Sequence, residues 1–433
     1  MKPRIFDPSR REVLAGLGAS AASLIGGGAT PVATAQLALQ ARPATLALRP
    51  DRPPTPIWEL AAVSHLGNVH LKRGDRCEVT FRNALSVPLA PVWYGLNGAV
   101  MADPLRGRAP TAPDATETSI ISIPNAGTLL ADFRLFEDRL KQPARPLPII
   151  ANETSRIPVD RDEVVLIEEW RVGPDGTALP PGRDPKDTTS TYTLNGRTSF
   201  ELSASAGERL RLRFINGSQR SVLAIKLEGH EVQVMALDGQ PAEPFPARNG
   251  ALVLAPGARA DAFVDAAASA GFVLHDGKEA RPIGRLKVSG KLERAPLPPP
   301  QPLPSNDLPE KLDLKGALRF DVALGAADAG WTRTANFSTA STPAFRAKAG
   351  RTVVLAVKNP APVTTVFHLH GHHFRLLDRL DDGWKPYWLD TLAIEPGQTQ
   401  RIAFAATSPG RWLIESVVTD WAAPRLVRWY GVE

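Results

Sequence analysis

The sequence predicts an all-β protein of three β-sandwich domains, on three observations. First, one strand-like unit recurs: Gly74-Asp75-Arg76 leads to Asn83, Gly207-Glu208-Arg209 to Asn216, and Gly350-Arg351-Thr352 to Asn359, each running nine residues from glycine to asparagine. The copies lie 133 and 143 residues apart, the spacing of whole domains rather than of short solenoid repeats. Second, the clearest copy, Glu208 to Phe214, alternates strictly between polar and apolar. A period of two predicts Leu210, Leu212 and Phe214 on a core face and the intervening arginines in water. Third, 41 prolines and 34 glycines among 433 residues punctuate the chain too often for a large helical body.

Residues 1–35 read as an export leader. Ser9-Arg10-Arg11-Glu12-Val13-Leu14 resembles a twin-arginine motif, a Gly/Ala-rich apolar stretch runs to about Gly28, and Ala33-Thr34-Ala35 supplies a small-residue cleavage site. The apolar stretch falls short of the ~20 strongly apolar residues that span a bilayer. The expectation is a periplasmic protein exported by the twin-arginine route, with no transmembrane anchor after cleavage. The formal charge of +6 includes Lys2, Arg4, Arg10 and Arg11 against Asp7 and Glu12 of the leader, and the mildly basic remainder argues against a nucleic-acid partner. The single cysteine, Cys77, sits in the strand pattern Arg76 to Phe81 and reads as a small packed side chain.

The first domain is expected at 40–155 and the second at 158–292, where the apolar run Val164 to Ile167 opens it. A Pro-rich linker at 293–312, containing Leu297-Pro-Pro-Pro-Gln-Pro-Leu-Pro304, leads as a stiff extended segment to the third domain at 313–433.

The third domain holds the chemistry. Phe367-His368-Leu369-His370-Gly371-His372-His373-Phe374 gathers four of the eight histidines. A β-branched and aromatic run precedes it, so it reads as a strand on which His368 and His370 share a face. Two imidazoles about 7 Å apart along a strand suit metal binding. They equally suit hydrogen bonding inside a sandwich. The repeat separates the others, because Leu227-Glu228-Gly229-His230 aligns with Leu369-His370-Gly371-His372 where no metal motif surrounds it. His372 and His373 therefore read as architectural.

The segment HLHGHHF resembles the HxxHLHGHxF signature of the multicopper oxidase family. Thr193 to Gly196, Arg213 to Asn216 and Ala255 to Gly257 resemble that family's second domain, and Tyr387 to Thr391 with Glu395 to Gly397 its third. The resemblance covers nearly all of 45–433 and implies three cupredoxin-like Greek-key β-sandwich domains. It also shows where ligands would stand. The type 1 thiolate falls on Ser416 and its imidazoles on Thr365 and Trp421, with Leu426 in the axial slot. The trinuclear positions fall on Val92, Tyr94, Asp132, Arg134, Glu415 and Val417, besides His368 and His370. Two of eleven ligands survive, so a laccase-type reaction lacks its electron entry point.

The leading functional expectation is a non-catalytic binding or scaffold protein of the cell envelope with protein partners, no cofactor, and likeness to the copper-free FtsP/SufI cell-division branch of the family. The alternative is a metal-dependent oxidoreductase with a rebuilt site, in which His368, His370, Asp132 and Glu415 hold copper or another divalent metal such as zinc, iron or manganese. Arg134 opposes it by adding positive charge. Cuprous-ion oxidation is disfavoured, since the only methionines are Met1, Met101 and Met235. Retention of the fold further predicts an ion pair from Arg134 to Glu415 or Asp132 at the junction of the first and third domains. His370 should lie close by, Tyr94 and Asp132 should border the adjoining position, and Val92 should face His368.

Overall fold

Each repeated glycine turns the chain in the left-handed region, with φ of 91° at Gly74, 84° at Gly207 and 81° at Gly350, and the strand that follows takes the same place in its sheet each time. Arg76–Asn83 lies between a parallel partner, Thr34–Leu46, and an antiparallel one, Thr116–Ser122. Arg209–Asn216 lies likewise between Arg161–Val172 and Arg259–Asp265, and Thr352–Lys358 between Leu318–Ala323 and Thr399–Ala405. The computed structural model describes residues 34–433 apart from 51, 64–67, 103–104, 106–108, 292–294, 296, 327–329, 339 and 379–382. The Ser9–Leu14 motif and its apolar stretch lie outside these residues. Thr34 and Ala35, placed at the end of the leader by sequence, are the first residues of the Thr34–Leu46 strand and pair with Arg76 and Cys77.

The described residues form six sheets that share three successive cores. The first core joins Leu37, Val79 and Phe81 of one sheet to Leu129, Leu130 and Ile149 of the other. The second joins Leu210, Leu212 and Phe214 to Ile225, Phe272 and Leu286, and the third joins Leu355 and Phe404 to Phe367, Trp412 and Tyr430. This is an all-β sandwich architecture, with 52% of the described residues in strands, and residues 34–433 pack as one compact unit. Cys77 is fully buried in the first core, where burial pushes its thiol up to about 11.

One expectation fails. Arg209, Arg211 and Arg213 do not face water; all three are buried. The alternation is real, but both faces of this sheet are covered, so a period of two sorts residues between two interiors. Arg213 donates to Thr128 Oγ1 of the first sandwich at 2.9 Å and to Asp261 at 3.0 Å. Arg211 pairs with Asp261 at 2.6 Å and Glu153 at 2.8 Å. The Pro-rich linker is also strapped down, with Pro298 O accepting from Arg209 and Asn306 donating to Ala126 O at 2.8 Å.

Candidate functional site

Thr365–Leu369 pairs with Gly410–Val418, His368 opposite Glu415 and Phe367 opposite Ser416. Alternation then sends Thr365, Phe367 and Ser416 toward the third core, and Val366, His368, Glu415 and Val417 to the other face. The strand ends at Leu369, yet His370 keeps the phase, and its ring centroid is 4.6 Å from that of His368. Gly371 then turns the chain at φ 76°, where a Cβ would run into the Trp412 ring.

Across this face stands the first sandwich. Val92–Tyr94 pairs with Gly127–Asp132, and Tyr94 reaches both histidines, its centroid 4.6 Å from His368 and 5.3 Å from His370. Its hydroxyl donates to Glu415 Oε1 at 2.9 Å. His370 Nε2 meets the same oxygen at 2.6 Å, and Arg425 Nη1 donates to Oε2. Burial pushes the Glu415 carboxyl up, but the Arg425 charge and the His370 hydrogen bond outweigh it and hold the group well below the usual carboxylate range. The ionised carboxylate accepts only, so His370 carries a proton on Nε2. Burial, with Glu415 and Asp132 adding to it, pushes the Tyr94 hydroxyl well above its ordinary value and keeps it a donor.

His368 is fixed from behind. Thr391 Oγ1 gives its one proton to Asp390 Oδ1 at 2.7 Å, so His368 Nδ1, 2.8 Å from that hydroxyl, must be the donor to it. Burial pushes His368 down to about 3, more than Asp390 raises it. The ring is neutral at neutral pH, with its Nε2 lone pair free of a proton. Asp390 is held low in turn by Arg259, whose Nη2 lies 2.5 Å from it.

The remaining charges balance. Arg134 stacks 5.0 Å over the Tyr94 ring and pairs with Asp132, while Arg220 and Arg425 share Glu137. Three guanidiniums thus meet three carboxylates, all buried. The Arg134 pair forms as expected from sequence but does not cross between sandwiches, because Asp132 is two residues away on the same segment. Glu415 is taken by Arg425, which sequence reasoning missed. Val92 shares its strand face with Tyr94, and the ring against His368 is that of Tyr94.

Residues 164–282 and 311–433 match multicopper oxidase family domains. The chain belongs to the multicopper oxidase family. Multicopper oxidase MmcO of Mycobacterium tuberculosis is 25% identical over 416 residues, covering 79% of this chain and 76% of that protein. The crystal structure of a multicopper oxidase from Pseudomonas thermotolerans superposes with a TM-score of 0.79 at 25% identity, over 93% of this chain and all of that one. The structure of Lac15 from a marine microbial metagenome, with a TM-score of 0.75 at 24% identity, shares the fold over 92% of this chain and all of that one.

In this multicopper oxidase scaffold the other positions named from sequence have separate neighbours. Ser416 is buried, its Oγ without a hydrogen-bond partner among the described residues. Thr365 donates to Asn359 Oδ1 at 2.9 Å. Trp421 donates to Pro180 O at 3.2 Å beneath Arg171, and Val417 packs into the second core with Val366. His372 and His373 are buried, His372 bonded to Tyr430 Oη at 2.8 Å and His373 to Asp238 O at 3.0 Å, which suits their architectural reading. His368, His370 and Glu415 alone converge as metal donors among the described residues, their ligand atoms within 4.8 Å of one another.

Proposed function

We propose that this member of the multicopper oxidase family has given up copper and acts in the cell envelope as a binding or scaffold protein. The observation that supports the reading best is Glu415, whose two oxygens are both engaged by Tyr94, His370 and the Arg425 guanidinium. A cation entering there would have to displace a bound cation from a buried, charge-balanced cluster. The residues at the type 1 position do not fit copper either, since Ser416 offers a hydroxyl where a thiolate must carry the electron, and Thr365 and Trp421 offer no imidazole. The test is metal analysis and visible absorption of the purified chain after incubation with cupric ion. Little bound copper, no intense blue band and no phenol oxidation are expected. Blue protein overturns the reading.

Export by the twin-arginine route is part of this proposal. Replacing Arg10 and Arg11 together with lysine should leave precursor in the cytoplasm, and unchanged delivery to the periplasm would remove that part. The partner expected is a cell-division protein of the envelope, sought by cross-linking the tagged mature chain in cells. Division proteins absent from the cross-linked material, compared with an exported control, would count against the likeness to FtsP/SufI.

A second reading has its own support: the Asp390–Thr391–His368 chain leaves His368 Nε2 unprotonated beside His370 and Glu415, as an oriented ligand requires. A rebuilt site for zinc, iron or manganese would use these three residues without the expected Asp132, whose carboxylate is paired with Arg134. Stoichiometric uptake of one of those metals, abolished by His368→Ala, would favour it over the scaffold.

A further inference from the structure

Between the second and third sandwiches lies a cleft of about 370 Å³, within the roughly 300–1,000 Å³ of small-ligand sites. Its walls are apolar, formed by Val234, Leu237, Phe245, Leu252, Leu389 and Leu392. Its deepest polar groups are already satisfied. Asp238 Oδ1 accepts from Arg259 N at 3.0 Å, and Oδ2 from the N–H groups of Asp390 and Thr391 at 3.0 and 3.1 Å. The Arg259 guanidinium is taken by Asp390. The floor therefore has nothing left to offer a polar ligand.

The rim differs. Arg248, on the short turn Arg248–Gly250, lines the cleft, is exposed, and makes no side-chain hydrogen bond or ion pair among the described residues. Tyr387 stands at the rim with its ring 6.2 Å from Phe245, and burial raises its hydroxyl above the ordinary value, so it remains a donor. Val253 lines the same mouth with 69% of its surface in water. An apolar trough, an exposed valine at its mouth and one uncompensated cation at its edge define a complementary shape: an apolar body with a single negative head.

We propose that this cleft binds a small single-chain amphiphilic carboxylate, with its hydrocarbon between the walls and its head on Arg248 and the Tyr387 hydroxyl. The cleft shares Thr391 with His368, but the proposed contacts use none of His368, His370 and Glu415 and need neither reading of that cluster to hold.

Titration calorimetry of the whole protein with decanoate, decanol and decyltrimethylammonium, each below its micelle concentration, tests it. Decanoate should bind at one site, roughly three- to tenfold more tightly than decanol, as an exposed ion pair allows. Arg248→Glu, at an exposed position that leaves folding intact, should weaken decanoate by roughly tenfold or more and admit decyltrimethylammonium instead. Phe245→Ala should weaken decanoate and decanol alike. Equal affinity for decanoate and decanol, indifference to Arg248→Glu, binding at many equivalent sites, or no binding would each overturn the proposal.

Discussion

Glu415 shows how a single residue decides what a buried cluster tolerates. Both its oxygens are used, and Arg425 balances its charge without solvent. Removing one partner of such a pair strands the other, so Arg425→Ala should lower stability by about 3–5 kcal/mol in denaturant titrations. A loss under about 1 kcal/mol would mean that Tyr94 and His370 suffice to hold the carboxylate. The same residues set a pH response. His368 and His372 are each pushed by burial from 6.5 to about 3, so the unfolded chain binds protons first and stability is lost as pH falls below 6.5. Glu415, held below 4.5, adds a further loss beneath that value. Asp238 opposes them, because burial and Asp390 raise it from 3.8 to about 7 and folding then favours its protonated form as pH falls. Two histidines outweigh one aspartate. Stability should fall by about 1–2 kcal/mol per pH unit between 6.5 and 4.5, and a flat or rising urea midpoint would contradict this balance. Arg425 itself was not legible in the sequence. Glu137 comes from another sandwich and Glu415 from the preceding strand, and no local pattern announces that one guanidinium meets both.

At the scale of the element, the repeat explains itself through its asparagine. Asn83 Nδ2 donates to Val87 O and Thr111 O, and its Oδ1 accepts from Leu85 N; Asn216 and Asn359 repeat the pattern with Ser221 O, Leu254 O and Ser218 N, and with Val363 O, Ile394 O and Ala361 N. Each fully buried side chain thus closes the corner where its strand leaves the sheet. Replacing Asn83 by alanine would leave Val87 O and the Leu85 N–H unpaired, while Thr111 O keeps the Leu89 N–H, so a loss of roughly 2–4 kcal/mol is expected. Chemical denaturation checks it, and a change within about 0.5 kcal/mol would make the asparagine incidental. Here the sequence was a good guide, since the repeat and its phase depend on local geometry: a left-handed glycine, an alternating strand and a capping amide. It misled at Arg211 and Arg213, because alternation specifies two faces without saying what covers each. The His368 and His370 face was likewise legible, whereas the Thr391–Asp390 chain behind His368 was not, being built from a separate strand.

For the whole molecule, the joints between sandwiches add buried ionic contacts to apolar ones, such as Val366 and Val417 of the third packing into the second core. Arg213 ties the second to the first through Thr128, and Arg259 ties the second to the third through Asp390. Glu137 joins all three: it lies on the turn Arg134–Arg139 of the first, accepts from Arg220 of the second at 2.7 Å, and accepts from the Arg425 backbone N–H of the third at 2.7 Å. All three residues are buried, so water cannot replace a lost partner. Glu137→Leu would leave the Arg220 guanidinium without its carboxylate and the Arg425 N–H without an acceptor, at a cost of about 3–5 kcal/mol. That cost falls on the junction rather than within any core, so it should weaken coupling between sandwiches more than the sandwiches themselves. Calorimetry should therefore show the variant's transition shifted down and broadened into more than one step. Glu201→Leu, which removes an exposed carboxylate 3.8 Å from Lys287, should stay within about 0.5 kcal/mol of the parent protein and keep its profile. If Glu137→Leu instead unfolds in one transition as sharp as the parent's and at the same temperature, the three sandwiches are coupled by their apolar contacts, and the buried ionic junction contributes nothing to holding them together.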